Sequence, residues 1–203
     1  MTRCIVFVDE QNVYRDVRRA FFQNYDPQQM GQVVPRLLAQ LLVNRRPNPP
    51  RNLIQVRVYT GRPSEVRDPQ TYWAHMRQSA TWQKDALTHV VTRTLQYPQG
   101  YPALPPRQKG VDVHLAVDMV RLYVEDKYDV AIVASTDTDL VPALEALFEL
   151  DKGRGYAPVE VAAWITELQP KRLRVRGREM WCHALTFTDY RNVGDPTDYN
   201  VAP

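Results

Sequence analysis

Apolar residues occur along this chain in two kinds of run. Cys4-Ile5-Val6-Phe7-Val8 and Val130-Ala131-Ile132-Val133-Ala134 are short, unbroken and rich in Val and Ile. Runs of that length without alternation predict strands buried on both faces, as in the centre of a parallel sheet. Leu53 to Tyr59 alternates and Thr88 to Gln96 is β-branched, so each predicts a further strand, and Val159 to Ala163 after the glycine turn predicts another short one. Apolar positions at helical spacing predict helices over Asn12–Phe22, Gln29–Val43, Pro69–Lys84, Val111–Val124 and Leu140–Leu150, the last with Pro142 in its first turn. Prolines at 47, 49 and 50 predict a loop over Asn44–Pro50, and those at 98, 102, 105 and 106 an irregular stretch over Tyr97–Lys109. Gly153-Arg154-Gly155 predicts a turn. Strands alternating with helices predict βαβ units: an α/β fold with a mostly parallel central sheet flanked by helices. The 203 residues predict one domain over 1–190 and a polar, loosely held C-terminal tail over 191–203.

Carboxylates stand where three of these segments begin or end. Asp9 closes the first strand and is followed by Asn12. Asp112 follows Lys109-Gly110-Val111. Asp137 and Asp139 follow Ser135 at the end of the Val130 strand. In open α/β sheets, ligand and catalytic groups lie beyond the carboxyl ends of the strands. Carboxylates gathered there repel one another unless a cation holds them, and an all-oxygen set suits Mg²⁺ or Mn²⁺. Each residue also has a plainer reading. Asp9 fits a turn or a helix cap, and Asn12 fits an N-cap. Asp139 fits the cap of the next helix, with Ser135 or Thr136 bracing the turn, which leaves Asp137 with no structural duty. On a helix of about 100° per residue, Asp112 falls within the stripe of Leu115, Ala116, Met119, Leu122 and Tyr123. A carboxylate on that side needs a cation, several donors or the helix N-terminus. Asp118 falls beside His114, Arg121 and Glu125 and reads as a surface residue. Lys109 could neutralise a carboxylate or a phosphate.

Composition narrows the partners. The charge is +3, a weak lean toward anions, but the kind of cation is informative: only Lys84, Lys109, Lys127, Lys152 and Lys171 are lysine, and 21 of the 26 cations are Arg. Arginine forks suit phosphates and stack on bases, although genomic base composition explains the bias equally well. Lys171 to Arg178 holds five cations in eight residues, readable as a solvated face or as a nucleic-acid groove carried by Arg172, Arg174 and Arg176. Tyr97 and Tyr101 are candidates for stacking on bases. His75, His89, His114 and His183 have no metal-ligand spacing, and no GxGxxG or GxxxxGK[ST] run supports a dinucleotide or P-loop site. The two cysteines, Cys4 and Cys182, form no disulfide framework, which predicts a reducing cytoplasm. The apolar runs are too short to span a bilayer, and the opening strand-like run predicts no signal segment.

Three ordered motifs carry a resemblance. F-V-D-x-x-N at 7–12, K-G-V-D-V-x-L-A-x-D at 109–118 and S-x-D-x-D-L-x-P at 135–142 resemble the NYN domain family, a branch of the PIN-like nucleases, over about Thr2 to Ala184. The resemblance implies a PIN-like, Rossmannoid three-layer fold and a metal-dependent ribonuclease. Asp9, Asp112 and Asp137 would be ligands to Mg²⁺ or Mn²⁺, with Asn12, Asp139 and Ser135 in support and Asp118 a second-tier member, against its surface reading. The implied partner is nucleic acid, RNA by resemblance alone; a homo-oligomer stays open. The sequence departs from the family pattern at Thr136, where Gly is frequent, and at Leu140, where an aromatic is frequent; neither removes a carboxylate. Two other readings stand beside the nuclease: a catalytically silent nucleic-acid- or protein-binding module on the same fold, and a phosphatase of small esters. Asp9-Glu10-Gln11-Asn12 lacks the D-x-D-x-[TV] arrangement of the haloacid-dehalogenase phosphatases, which counts against the latter.

Overall fold

The computed structural model describes residues 1–46, 50–166 and 170–201. Its elements run β1 (Thr2–Asp9), α1 (Glu10–Phe21), α2 (Pro35–Asn44), β2 (Arg51–Arg62), α3 (Pro69–Trp82), β3 (Thr88–Thr94), α4 (Val111–Val124), β4 (Val130–Ala134), α5 (Val141–Glu149), β5 (Val159–Trp164), β6 (Cys182–Leu185) and α6 (Phe187–Val193). The six strands form one sheet in the order β3-β2-β1-β4-β5-β6, and every neighbouring pair is parallel. Among the described residues no helix is long and apolar enough to cross a membrane.

Period-two alternation divides the central strands between two cores. Cys4, Val6 and Val8 of β1, with Val130, Ile132 and Ala134 of β4, pack under α1 and α2 beside Val13, Val17, Leu38 and Leu42. Ile5 and Phe7, with Ala131 and Val133, pack under α4 and α5 beside Leu115, Met119, Leu144 and Leu147. Both faces of β1 and β4 are therefore dry, which is why their sequences do not alternate. The chain works outward to β3 on one side of β1 and to β6 on the other, so the switch point lies between β1 and β4.

Several elements differ from the sequence expectation. Helix α1 starts at Glu10, because Asp9 and not Asn12 caps it. Helix α2 starts at Pro35 rather than Gln29. Proline needs no N–H donor at a first helical position, and Gly31 takes φ +113°, which breaks any earlier helix. Asn44 closes that helix, and residues 47–49 of the expected loop lie outside the described residues. Strand β6 and helix α6 carry no sequence expectation: β6 has only four residues, and one of them is the buried His183. The described residues beyond α6, up to 201, make specific hydrogen bonds to α3 and to one another. Asp195 is buried and accepts from Trp82 Nε1 at 3.3 Å and Tyr199 OH at 2.7 Å, while Arg77 donates to the Tyr199 carbonyl.

At the amino edge of the sheet a buried ion network replaces apolar packing. Arg51 donates both Nη atoms to Glu160 (2.6 and 2.8 Å), and His183 Nε2 lies 2.8 Å from the same carboxylate. All three side chains are 3% exposed or less. Burial alone would raise the Glu160 carboxyl, but the Arg51 and His183 hydrogen bonds overcome it and hold the group down at about 2.

Candidate active site

Asp9, Asp112 and Asp137 line a single cleft of about 170 Å³ at the switch point between β1 and β4. Asp9 is the last residue of β1, and parallel pairing sets Val8 beside Ala134, so the turn after β4 emerges next to it. Asp112 sits in the first turn of α4, whose N-cap is Gly110 at φ +73°. That backbone conformation favours glycine, and it turns the incoming loop so that Asp112 reaches the cleft.

Hydrogen bonds fix the floor of this cleft. Asp9 Oδ1 accepts from the Asn12 N–H (3.2 Å), and Oδ2 accepts from Ser135 Oγ (3.0 Å). Ser135 Oγ also accepts from the Asp137 N–H at 3.0 Å, so one hydroxyl ties the Asp9 carboxylate to the Asp137 backbone. Asp137 Oδ1 in turn accepts from the Asp139 N–H at 3.0 Å and caps the short 3₁₀ turn Thr138–Leu140. Asp137 therefore has the capping duty that the sequence assigned to Asp139, because the turn begins two residues earlier than expected. Asp139 itself is exposed and does not line the cleft. Asn12 is inside α1, and its Oδ1 accepts from the Thr136 N–H at 2.8 Å. The hydroxyl at Thr136, the departure from glycine, donates to the buried Asp16 carboxylate at 2.6 Å and bolts the turn to α1.

The electrostatics follow from burial and crowding. Asp9 is 8% exposed, and burial, together with the charges of Asp137 and Asp112, pushes its carboxyl from 3.8 up to about 6. The bonds from Asn12 and Ser135 offset part of that rise. Arg15 is the cation among the cleft's lining residues, which also include Gln11 and Gln108. Sequence reading passed over all three. Gln11 and Arg15 are four residues apart on α1, one helical turn, and so share the face that Asn12 begins.

Lys109 is exposed and does not line the cleft; its neighbour Gln108 does. Asp118 is not a surface residue but 5% exposed. Val111, omitted from the expected stripe, is buried and widens it, so that Asp118, about 20° from Val111 at about 100° per residue, falls on its edge. There its carboxylate accepts from Arg57 (2.6 Å), Tyr59 (2.9 Å) and Arg121 (3.1 Å). Burial opposes its ionisation, and these bonds outweigh it and hold the carboxyl below the usual range. Asp118 is not part of the cleft lining.

Arg172 and Arg174 line a different groove of about 660 Å³ with Arg178 and Trp181, beside Ala157 and Cys182 where β5 and β6 begin. Leu173 and Val175 are buried and Arg172, Arg174 and Arg176 exposed, so this stretch is an extended crossover with a charged outer side. The groove is at the amino edge of the sheet, separated from the carboxyl edge by the six residues of β5, about 20 Å at a strand rise of about 3.3 Å. Tyr97 and Tyr101 pack edge to face on each other at 4.8 Å, and the Tyr97 hydroxyl accepts from the Ser64 N–H.

The family description "NYN domain" matches residues 3–163, which include all three acidic segments. The chain belongs to the NYN domain family. This is a nuclease-type, PIN-like family, and its match ends at β5, before β6 and α6. No curated protein matches the chain. A crystal structure of a protein of unknown function from Vibrio parahaemolyticus is similar at 17% identity and a TM-score of 0.46, covering 83% of this chain and 86% of that one.

Among the described residues no three His, Cys, Asp or Glu side chains are gathered as a ready-made metal-ligand group. The donor set of the NYN cleft nevertheless suits a hard cation: Asp9, Asp112 and Asp137 offer only oxygens, and Arg15 alone among the lining residues offsets their charge. Mg²⁺ keeps several waters and is commonly held through one or two carboxylates plus substrate phosphate, so a cleft with spaced carboxylates fits it.

Proposed function

We propose that this NYN domain is a Mg²⁺- or Mn²⁺-dependent nuclease that hydrolyses phosphodiester bonds in RNA. The observation that supports it is the meeting of Asp9, Asp112 and Asp137 in one cleft at the strand switch point. These three carboxylates would hold the ion, which when bound supplies Lewis-acid stabilisation of phosphate charge and a more acidic water. The protein's own contribution is placement. Ser135 holds Asp9 and the Asp137 backbone at a fixed spacing, and Asn12 and Thr136 tie the β4 turn to α1. Arg15 meets one oxygen of the bound phosphate, and Gln11 and Gln108 donate amide hydrogens beside it. RNA rather than DNA rests on the family type.

A second reading, a catalytically silent binding module, draws support from the absence of a gathered three-ligand group among the described residues. One assay separates the two: labelled single-stranded RNA, structured RNA and DNA incubated with Mg²⁺, Mn²⁺, Ca²⁺ or chelator. The nuclease reading expects RNA cleavage with Mg²⁺ or Mn²⁺, strand binding without turnover in Ca²⁺, and no cleavage in chelator or by Asp112→Asn. Undiminished cleavage in chelator overturns the metal dependence. Strand binding without cleavage under any condition selects the silent module.

A further inference from the structure

A second groove, of about 380 Å³, opens beside the acidic cleft and shares Gln11 and Gln108 with it. Its chemistry is different. Side-chain amides dominate the lining, with Gln28, Gln29, Gln32 and Gln78 joining the two shared residues. Gln78 Nε2 donates to Gln32 Oε1 at 3.2 Å, which orients that pair, whereas among the described residues the amides of Gln11 and Gln108 have no hydrogen-bond partner. Gln108 lies tightly against the end of β2: a Cβ on Gly61 would come within 2.9 Å of its Cγ and 2.3 Å of Leu95 Cδ2. Glycine at 61 therefore keeps this wall where it is. The described stretch beyond α6 forms another wall through Tyr199, anchored by Arg77.

The lining excludes a phosphate. It carries carboxylates, Glu10 and Asp198, and no Lys or Arg. His75 is also uncharged at neutral pH, because burial pushes it down to about 4. What such a surface complements is a flat, neutral, polar ring. A carboxamide presents a donor and an acceptor side by side, the arrangement that pairs with the edge of a nucleobase. Tyr14, Pro63 and Leu95 add apolar area for its faces. The volume lies within the usual range of small-ligand pockets, about 300–1,000 Å³.

Building on the nuclease reading, we propose that this groove receives one unstacked base of a single-stranded RNA, on the nucleotide next to the phosphate held in the acidic cleft, and selects among bases through its glutamines. A duplex could not use it, since paired bases have their edges occupied. The groove would thus set both strand state and sequence preference at the cut.

The test is binding of fluorescent RNA homopolymers of A, C, G and U, read by anisotropy in chelator so that the strands stay intact. The natural sequence is expected to favour one base over the weakest by about 5- to 150-fold, the range of one bidentate amide–base contact of about 1–3 kcal/mol. One abasic residue placed in the preferred strand should remove most of that preference where it can reach the groove. Gln32→Leu combined with Gln78→Leu should flatten the preference, and Gln108→Leu, in a loop outside helix and strand, provides the same test if the double variant misfolds. Arg15→Ala should weaken all four strands by one common factor. Equal affinity for all four strands, absence of binding to any, or a preference that survives both glutamine variants overturns the proposal. A base preference without cleavage keeps the groove and refutes the nuclease; metal-dependent cleavage without base preference does the reverse.

Discussion

Replacing Asp9 by Asn should stabilise the protein while sharply lowering the proposed nuclease activity. Asp9 is held at 8% exposure among like charges, and its carboxyl rises from 3.8 to about 6. A carboxyl raised in the folded state favours folding while protonated. That contribution is complete below the unfolded value of 3.8 and is lost as pH rises through about 6. Above that range the ionised Asp9 costs the metal-free protein about 3 kcal/mol, at about 1.4 kcal/mol per tenfold change in proton affinity. Asparagine keeps the acceptor that caps α1, the Oδ1 facing the Asn12 N–H. Its new N–H₂ meets Ser135 Oγ, which has lone pairs for it and for the Asp137 N–H. Thermal melts in chelator should therefore show Asp9→Asn above the natural protein by roughly 6–12 °C at about pH 8, and level with it at about pH 3–4. Adding Mg²⁺ should raise the melting temperature of the natural protein and leave the variant unmoved. Under the proposed metal-dependent function, cleavage by the variant should fall at least about a hundredfold, since one of the three charges that would hold the ion is gone. A variant that melts lower at alkaline pH would refute the reasoning, because Asp9 would then be an ionised cap whose charge supports the helix.

Three further outcomes test other parts of the molecule. Glu160→Gln should destabilise by about 3 kcal/mol at neutral pH, since a carboxyl depressed from 4.5 to about 2 contributes stability above its unfolded value that is lost as pH falls through the folded one; denaturant midpoints at neutral and strongly acid pH measure this, and equal destabilisation at both would contradict it. Asp118→Ala should cost about 3 kcal/mol by leaving Arg57 unpaired, while cleavage per folded molecule stays near normal; a slower rate at unchanged stability would return Asp118 to the active site. Replacing Arg172, Arg174 and Arg176 by Ala should leave cleavage of short strands intact and lower the log–log salt slope for long strands by roughly 0.7 for each phosphate that no longer meets a cation; an unchanged slope makes the stretch a solvated face.

The parts of the fold legible in the sequence are those where burial alone dictates residue type. Strands β1 and β4 lie between two dry cores, so every position is apolar. Helix α4 has the expected bounds because Gly110 and the polar run after Val124 punctuate both ends. What was not legible depends on distant partners. His183 makes the short β6 look less strand-like, and its burial is made tolerable by Glu160, whose charge Arg46 and Arg51, more than 100 residues before it, offset. Asp118 looked exposed because its donors, Arg57 and Tyr59, come from β2. The three cleft carboxylates were legible as strand-end and helix-start residues, whereas Gln11, Arg15 and Gln108 gain meaning only from what the sheet sets opposite them.

The strand order also sets a schedule for synthesis. β1 is made early yet sits between β2, roughly 50 residues on, and β4, well beyond that. The Ser135–Asp9 hydrogen bond closes a separation of 126 residues. At ribosomal rates of about 5–20 residues per second, β1 spends about 6–25 s without one of its two neighbours. For that interval an apolar strand exposes an open edge, a template for pairing with other nascent chains. The acidic cleft cannot exist before β4 and its turn emerge, so under the proposed nuclease function a ribosome-tethered nascent chain would be harmless to the RNA around it until that turn is made.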